Sequence, residues 1–161
     1  MNNQENIQEN DSPSNLDVSQ SYNENELKMN DFIKKKKIGS GAFGKVYLVE
    51  KKATGELFAL KITRQTFDEY TEGVIRDLLR EINIISKLDH PNVLKFIGYS
   101  RTDFKENPKL SIFTEYVSKG TLSDLIKSEQ EKETVDGWND TRKLIIIYGI
   151  ASGMSYLHSH D

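Results

Sequence analysis

Apolar positions change their period several times along this chain, and each change predicts an element. Residues 45–50, "KVYLVE", alternate, with Val46 and Leu48 on one face and Tyr47 and Val49 on the other. Alternation in β-branched and aromatic residues predicts a strand. "LFALKIT" (57–63) predicts the next one, and "KKATGE" between them is a turn signal around Gly55. Upstream, "DFIKKKKIG" is apolar at both ends, and its lysine run reads as a solvated face. The order strand, glycine loop, strand, turn, strand predicts an antiparallel meander. Over residues 68–88, Ile75, Leu78, Ile82 and Ile85 recur at three- and four-residue spacing, with Leu79 and Leu88 widening the stripe. That spacing predicts a helix. Asp68 and Glu69 suit its first turn, and Pro91 disfavours helix at His90.

"VLKFIGYS" and "LSIFTEYV" predict two more strands, joined by the polar loop "RTDFKENPK". "GTLSDLIKSEQEKE" predicts a short helix in which Thr121 and Asp124 form a capping box. After "VDGWND", residues 140–158 predict a long helix that is apolar almost all round. Such a helix expects burial on more than one side. Residues 1–30 are rich in Asn, Gln, Ser and Glu, and their apolar residues keep no period. They predict a disordered acidic tail.

Charge sharpens this division. The formal net charge is −3, but residues 1–31 carry seven acids against Lys28 alone, a charge of −6, and the remainder is +3. No strong basic patch points to nucleic acid. The N-terminus has neither the basic nor the apolar region of a secretory signal, and "LIIIYGIA" is too short to span a bilayer, so no membrane partner is expected. The chain has no cysteine, which excludes disulfides and thiolate zinc sites and suits a cytoplasmic location. His158 and His160 lie two residues apart, so on a helix they point in different directions and predict no metal site.

The chemistry concentrates at "GSGAFGKV", where Gly39, Gly41 and Gly44 are spaced G-x-G-x-x-G. A dinucleotide-binding turn needs a helix directly after the glycines, and here a strand follows. A P-loop needs G-x-x-x-x-G-K-[ST] before a helix; Val46 stands where the hydroxyl belongs. A hairpin lying over a polyphosphate fits, because glycines let backbone N–H groups approach phosphate oxygens. An ordinary glycine-rich hairpin turn fits the loop alone as well. Two residues then add weight. Lys61 lies on the third strand among apolar neighbours, and Glu81 borders the apolar stripe of the following helix, where a carboxylate can hold an ammonium. Taken singly, Lys61 reads as a solvated strand lysine and Glu81 as a surface residue beside Arg80.

Taken in order, these features resemble the protein kinase family over roughly residues 32–161. "GSGAFGKV" (Gly39, Ser40, Gly41, Ala42, Phe43, Gly44, Lys45, Val46) resembles its Gly-rich loop, and "FALK" its lysine strand. "REINIISKLDHPNVLKFIGYS" resembles the αC helix and the strand after it. "FTEYVSKGTLSDL" resembles the hinge, and "IASGMSYLHSHD" the helix leading to the catalytic loop. The resemblance implies an α+β fold. Residues 31–117 would form a kinase-like N-lobe, a five-stranded antiparallel sheet plus the αC helix, with the hinge. Residues 118–161 would form the first helices of a truncated helical C-lobe.

The resemblance also implies ATP as cofactor, with Lys61 on its α- and β-phosphates and Glu81 as the partner of Lys61. Ile38, Val46 and Ala59 would cover the adenine, with Thr114 as gatekeeper. The hinge Glu115–Tyr116–Val117 would bond the adenine edge through backbone groups of Glu115 and Val117. Leu122 would floor the site and Asp124 would reach the ribose or cap its own helix. Ile85 and Phe96 would belong to a hydrophobic stack behind the site. "HPNVLKFIGYS", "TEYVSKGTLSDLI" and the spacing of Trp138, Arg142 and Ile145 resemble the tyrosine-kinase-like group, most of which phosphorylates Ser or Thr.

The 161 residues contain no H-R-D and no D-F-G. By the resemblance, the catalytic Asp and the Mg²⁺ ligands lie beyond Asp161, which is not itself the catalytic base. The expectation is the ATP-binding part of a kinase that acts on a protein substrate in a full-length form and is inactive alone, with apolar surface of the 140–158 helix left exposed. The alternative is a non-catalytic, pseudokinase-like or truncated module that binds nucleotide or a partner such as a kinase.

Overall fold

The computed structural model describes residues 25–159. The acidic segment before Asn25, together with His160 and Asp161, lies outside them. Five strands form one antiparallel sheet: β1 (Phe32–Gly41), β2 (Gly44–Lys51), β3 (Leu57–Thr63), β4 (Phe96–Ser100) and β5 (Ser111–Glu115). They are arranged β1-β2-β3-β5-β4. The predicted meander is the β1-β2-β3 part. Its second turn closes where the Lys51 carbonyl accepts the Gly55 N–H at 2.8 Å, with Gly55 at φ +73°. Among the described residues there are three α-helices: α1 (Glu72–Ile85), between β3 and β4, then α2 (Leu122–Gln130) and α3 (Asp140–His158) after β5.

Strand alternation divides the sheet into two faces. Val49, Leu60 and Phe113 are buried on one face with Phe32 and Met29, and Tyr47, Phe58 and Ile62 pack around them. Phe32 meets Phe113 at 4.4 Å between ring centroids. The second cluster lies under α1. Ile82 packs with Tyr99 and Leu110, and Leu78, Leu79, Phe96 and Ile112 close around them. The central side chains of both clusters are almost completely buried, the condition under which each contributes most to stability, and the flanking ones are half-buried.

Residues 25–30 depart from the tail expected to reach residue 30. The Tyr99 N–H donates to the Asn25 carbonyl at 2.9 Å, and the Leu27 N–H donates to the Tyr99 carbonyl at 2.7 Å. Met29 is buried. The physical reason is that β4 is an edge strand with unpaired backbone groups, which this segment satisfies while Leu27 and Met29 cover the adjoining core.

The first helix is shorter than its apolar stripe predicts. Glu69 Oε2 accepts the Thr66 N–H at 2.6 Å and closes a separate 3-10 turn, Phe67–Glu69. Tyr70 is then extended, and Thr71 caps α1 by accepting the Val74 N–H. Asp68 and Glu69 therefore serve this turn and not the helix. Downstream, Thr121 and Asp124 form the expected capping box, and α3 has the predicted bounds. Among the described residues α3 carries the exposed apolar surface expected of it: Leu144, Ile145, Ile147 and Tyr148 are all more than 60% exposed. A short polar dock holds the helix. Tyr156 Oη accepts the Asp89 N–H at 3.0 Å, its ring stacks on His90 at 4.8 Å, and Ser152 Oγ lies 3.3 Å from His90 Nε2.

Candidate functional site

The glycine hairpin is the loop between β1 and β2. Gly39 pairs with Val46, Ser40 with Lys45 and Gly41 with Gly44, leaving Ala42 and Phe43 at the tip. The three glycines have different reasons to be there. A Cβ on Gly44 would lie 2.0 Å from the Ile62 carbonyl oxygen, so close pairing with β3 requires glycine at that position. A Cβ on Gly41 would meet nothing within 4 Å, and one on Gly39 would only touch Val46 at 3.5 Å. Neither has the positive φ that favours glycine. Packing therefore does not explain Gly39 and Gly41, and their open backbone leaves room for a ligand's polar oxygens.

Register sets the residues beneath the hairpin. Val46 pairs with Lys61 and Leu48 with Ala59; Lys61 pairs onward with Ile112, and Ala59 with Thr114. Directly paired residues share a face, so Val46, Ala59, Lys61 and Thr114 lie together, opposite the Val49–Leu60–Phe113 core. Ile38, at the bulged end of β1, is 38% exposed.

Lys61 and Glu81 line one cavity of about 290 Å³, with Phe43, Tyr70 and Leu78 among its walls. Among the described residues, no ion pair within 4.0 Å joins them. The Lys61 ammonium instead lies 5.2 Å from the centroid of the Phe43 ring, within the range of a cation–π contact. Arg64 Nη2 donates to the Gly41 carbonyl at 2.9 Å and holds the hairpin from behind. Arg64 is a residue that the sequence reading missed. Its role depends on the β3 end meeting the hairpin tip, and no motif spacing reports that.

At the end of β5 the Glu115 N–H donates to the Lys95 carbonyl at 3.0 Å, and Glu115 Oε1 accepts the Lys95 N–H at 2.7 Å. The Glu115 carbonyl accepts a 3.3 Å contact from Thr114 Oγ1. Tyr116 is half-buried, while Val117 is 56% exposed. Leu122 opens α2. The Asp124 carboxylate accepts from Thr121 Oγ1 at 2.6 Å and from the Thr121 N–H at 3.1 Å. These bonds, the side-chain one first, hold its carboxyl below the usual value. Of the two roles expected for Asp124, the structure displays capping. Phe96 packs in the α1 cluster, whereas Ile85 is half-buried at the helix end.

Nucleotide phosphates fit the open glycine backbone and the ammonium below it. A metal ion finds no such cradle: among the described residues no group of three or more His, Cys, Asp or Glu gathers. No metal-dependent step is therefore assigned to these residues.

Comparison with known proteins agrees with this arrangement. A model of the protein kinase domain matches residues 32–161. The chain is 38% identical over 127 residues to the serine/threonine-protein kinase CTR1 of Arabidopsis thaliana, covering 79% of this chain and 14% of that protein. It is 36% identical over 129 residues to LIM domain kinase 1 of Drosophila melanogaster, covering 80% and 9%. It is 33% identical over 130 residues to dual specificity testis-specific protein kinase 2 of Mus musculus, covering 81% and 20%. The chain thus spans a fifth or less of the length of these curated relatives.

Proposed function

The chain belongs to the protein kinase family, within its tyrosine-kinase-like group, and from that premise we propose that it carries the ATP-binding part of an enzyme that phosphorylates proteins on Ser or Thr. One observation carries the reading. Strand register sets Lys61, Val46, Ala59 and Thr114 on one face beneath two glycines that packing does not require.

Each group has a separate task. Backbone N–H groups of the hairpin receive phosphate oxygens, and the Lys61 ammonium offsets their charge. Val46 and Ala59 present an apolar surface to a base, and the Glu115 carbonyl accepts from its exocyclic amine. Phosphoryl transfer is mostly positioning and charge stabilisation. These residues supply the positioning on the nucleotide side. The 161 residues hold no H-R-D or D-F-G, so the reading assigns them binding and not transfer. A divalent metal, when bound, would supply charge neutralisation, and no described residue is assigned to hold it. The Ser/Thr assignment takes support from the name of the plant relative, and dual specificity is stated for the mouse one. The cytoplasm is the compartment that suits this function, and no described helix is long and apolar enough to cross a membrane.

A second reading, a non-catalytic module that binds nucleotide or a partner protein, is favoured by the Lys61–Phe43 contact standing where a Lys61–Glu81 pair is expected. Thermal unfolding with and without ATP tests nucleotide binding. At 100 times Kd, ATP should stabilise the chain by about 2.7 kcal/mol, and Lys61→Ala should abolish most of that gain. An identical rise in Tm for both proteins would remove Lys61 from the site. Phosphotransfer by the 161-residue chain, lost in Lys61→Ala, would overturn the assignment of binding without transfer.

A further inference from the structure

The opposite face of the sheet holds a larger cavity, of about 610 Å³, between the β1-β2-β3 meander and the loop joining β4 to β5. Its walls carry five cations: Lys34, Lys45, Arg64, Lys105 and Lys109. Among the described residues, none of the five is ion-paired within 4.0 Å of a carboxylate. Lys34 lies 3.9 Å from the centroid of the Tyr47 ring, and Lys109 Nζ donates to the Arg64 carbonyl at 2.6 Å. Both ammoniums are thus positioned by uncharged groups.

Asp103 is the single acid in the walls, and its loop already occupies it. Its Oδ1 accepts the Lys105 N–H at 2.8 Å and the Asn107 N–H at 3.1 Å, and Asn107 Nδ2 donates to Oδ2 at 2.9 Å. Burial pushes the Asp103 carboxyl up, but these hydrogen bonds and the charge of Lys109 outweigh it and hold the group below its usual value. A concave site with five cations against one acid attracts an anionic occupant. Tyr47, Ile62 and Phe104 also line it and offer apolar contact to a peptide.

The chain itself contains a matching segment. Residues 1–24 carry Glu5, Glu9, Asp11, Asp17 and Glu24, no lysine or arginine, and scattered apolar residues at Ile7, Leu16 and Val18. The described chain begins at Asn25, bonded to Tyr99 at the head of the loop whose far side walls the cavity. At about 3.3–3.6 Å per residue, 24 extended residues span about 80 Å, ample to reach it. We propose that the acidic N-terminal segment docks in cis into this basic cavity on the outer face of the sheet. Lys45 directly follows Gly44, and Arg64 holds the Gly41 carbonyl. The docked segment therefore sits against the back of the glycine hairpin. The cavity faces away from Lys61, and Thr63 and Arg64 line both it and the Lys61–Glu81 cavity.

Carbodiimide coupling of the full chain tests it, because the reagent joins carboxylates to amines only where they touch. Peptide mapping should find Glu5, Glu9, Asp11 or Asp17 linked to Lys34, Lys45, Lys105 and Lys109. Exposed lysines elsewhere, such as Lys52, Lys127 and Lys132, should be linked several-fold less. The cavity links should fall several-fold at 1 M salt, where screening reaches about 3 Å. They should also fall at Lys45 and Lys109 in Lys105→Glu, an exposed substitution that spares the core. Links spread over all exposed lysines alike, or unmoved by salt and by Lys105→Glu, would overturn the proposal. So would cavity links that form mainly between isotope-labelled and unlabelled copies, which would make the occupant a second chain.

Discussion

At the residue scale, the three glycines of the hairpin separate fold from function. Gly44 has its backbone against β3, and the Ile62 carbonyl stands where a Cβ would go. Because that neighbour is main chain, it cannot swing aside. Gly44→Ala should therefore destabilise the chain by about 1–3 kcal/mol, the usual cost of forcing extra atoms into a packed site, seen as a lower urea midpoint. Gly41 faces open space, so Gly41→Ala should leave that midpoint within about 0.5 kcal/mol of the parent while weakening ATP binding. Equal losses of stability in the two variants would show that both glycines serve packing. The G-x-G-x-x-G spacing is legible in the sequence. Which glycine answers to which demand is not, because the obstructing oxygen belongs to a residue 18 positions away.

At the element scale, α2 and α3 are joined by polar contacts. Glu129 accepts from the ammonium of Lys143 and, at 3.1 Å, from Trp138 Nε1; Lys143 also lies 3.5 Å from Asp140. The bond from Lys143, then that from Trp138, holds the Glu129 carboxyl below its usual value, and the bond to Glu129 raises Lys143. The signs are opposite. The Glu129 contribution is present above the ordinary glutamate range and lost as pH falls through the lowered value. The Lys143 contribution is present below the ordinary lysine range and lost as pH rises through the raised value. Contact between α2 and α3 should thus hold at neutral pH and loosen at both extremes. Trp138, the only tryptophan, should report this as a fluorescence change at acid and alkaline pH. Both losses should be absent in Glu129→Gln, and a profile unchanged by that substitution would refute the assignment. The Thr121–Asp124 capping box and the α3 bounds were legible, since a cap is local. The division of the predicted 68–88 helix was not, because Glu69 could cap a separate turn or begin the helix with equal local merit.

At the scale of the whole molecule, α1 packs on the sheet through Ile82 against Tyr99 and Leu110, and α3 meets residues 89–92. Gly149 and Gly153 let the helix approach Asn92; a Cβ on Gly153 would be 3.0 Å from the Asn92 carbonyl oxygen. Away from that line, Leu144, Ile145, Ile147, Tyr148 and Ile150 are exposed. Contiguous apolar exposure of this kind marks a surface that seeks cover. The chain should bind a hydrophobic dye and self-associate with rising concentration. Replacing Ile147 and Tyr148 by lysine should reduce both effects without shifting unfolding of the sheet. A monomeric parent that leaves the dye dark would contradict this. What the sequence alone determined is what short-range pattern encodes: the strands by alternation, the helices by three- and four-residue spacing, the Thr121–Asp124 cap, and the ordered motifs that mark the kinase family. Tertiary structure decided what depends on groups distant in the chain. It put Lys61 against Phe43 and not in an ion pair with Glu81, and it laid residues 25–30 along the β4 edge. It also gathered five cations from separate strands and a loop around one cavity. Periodicity reports which face a residue occupies, and only packing reports what stands opposite.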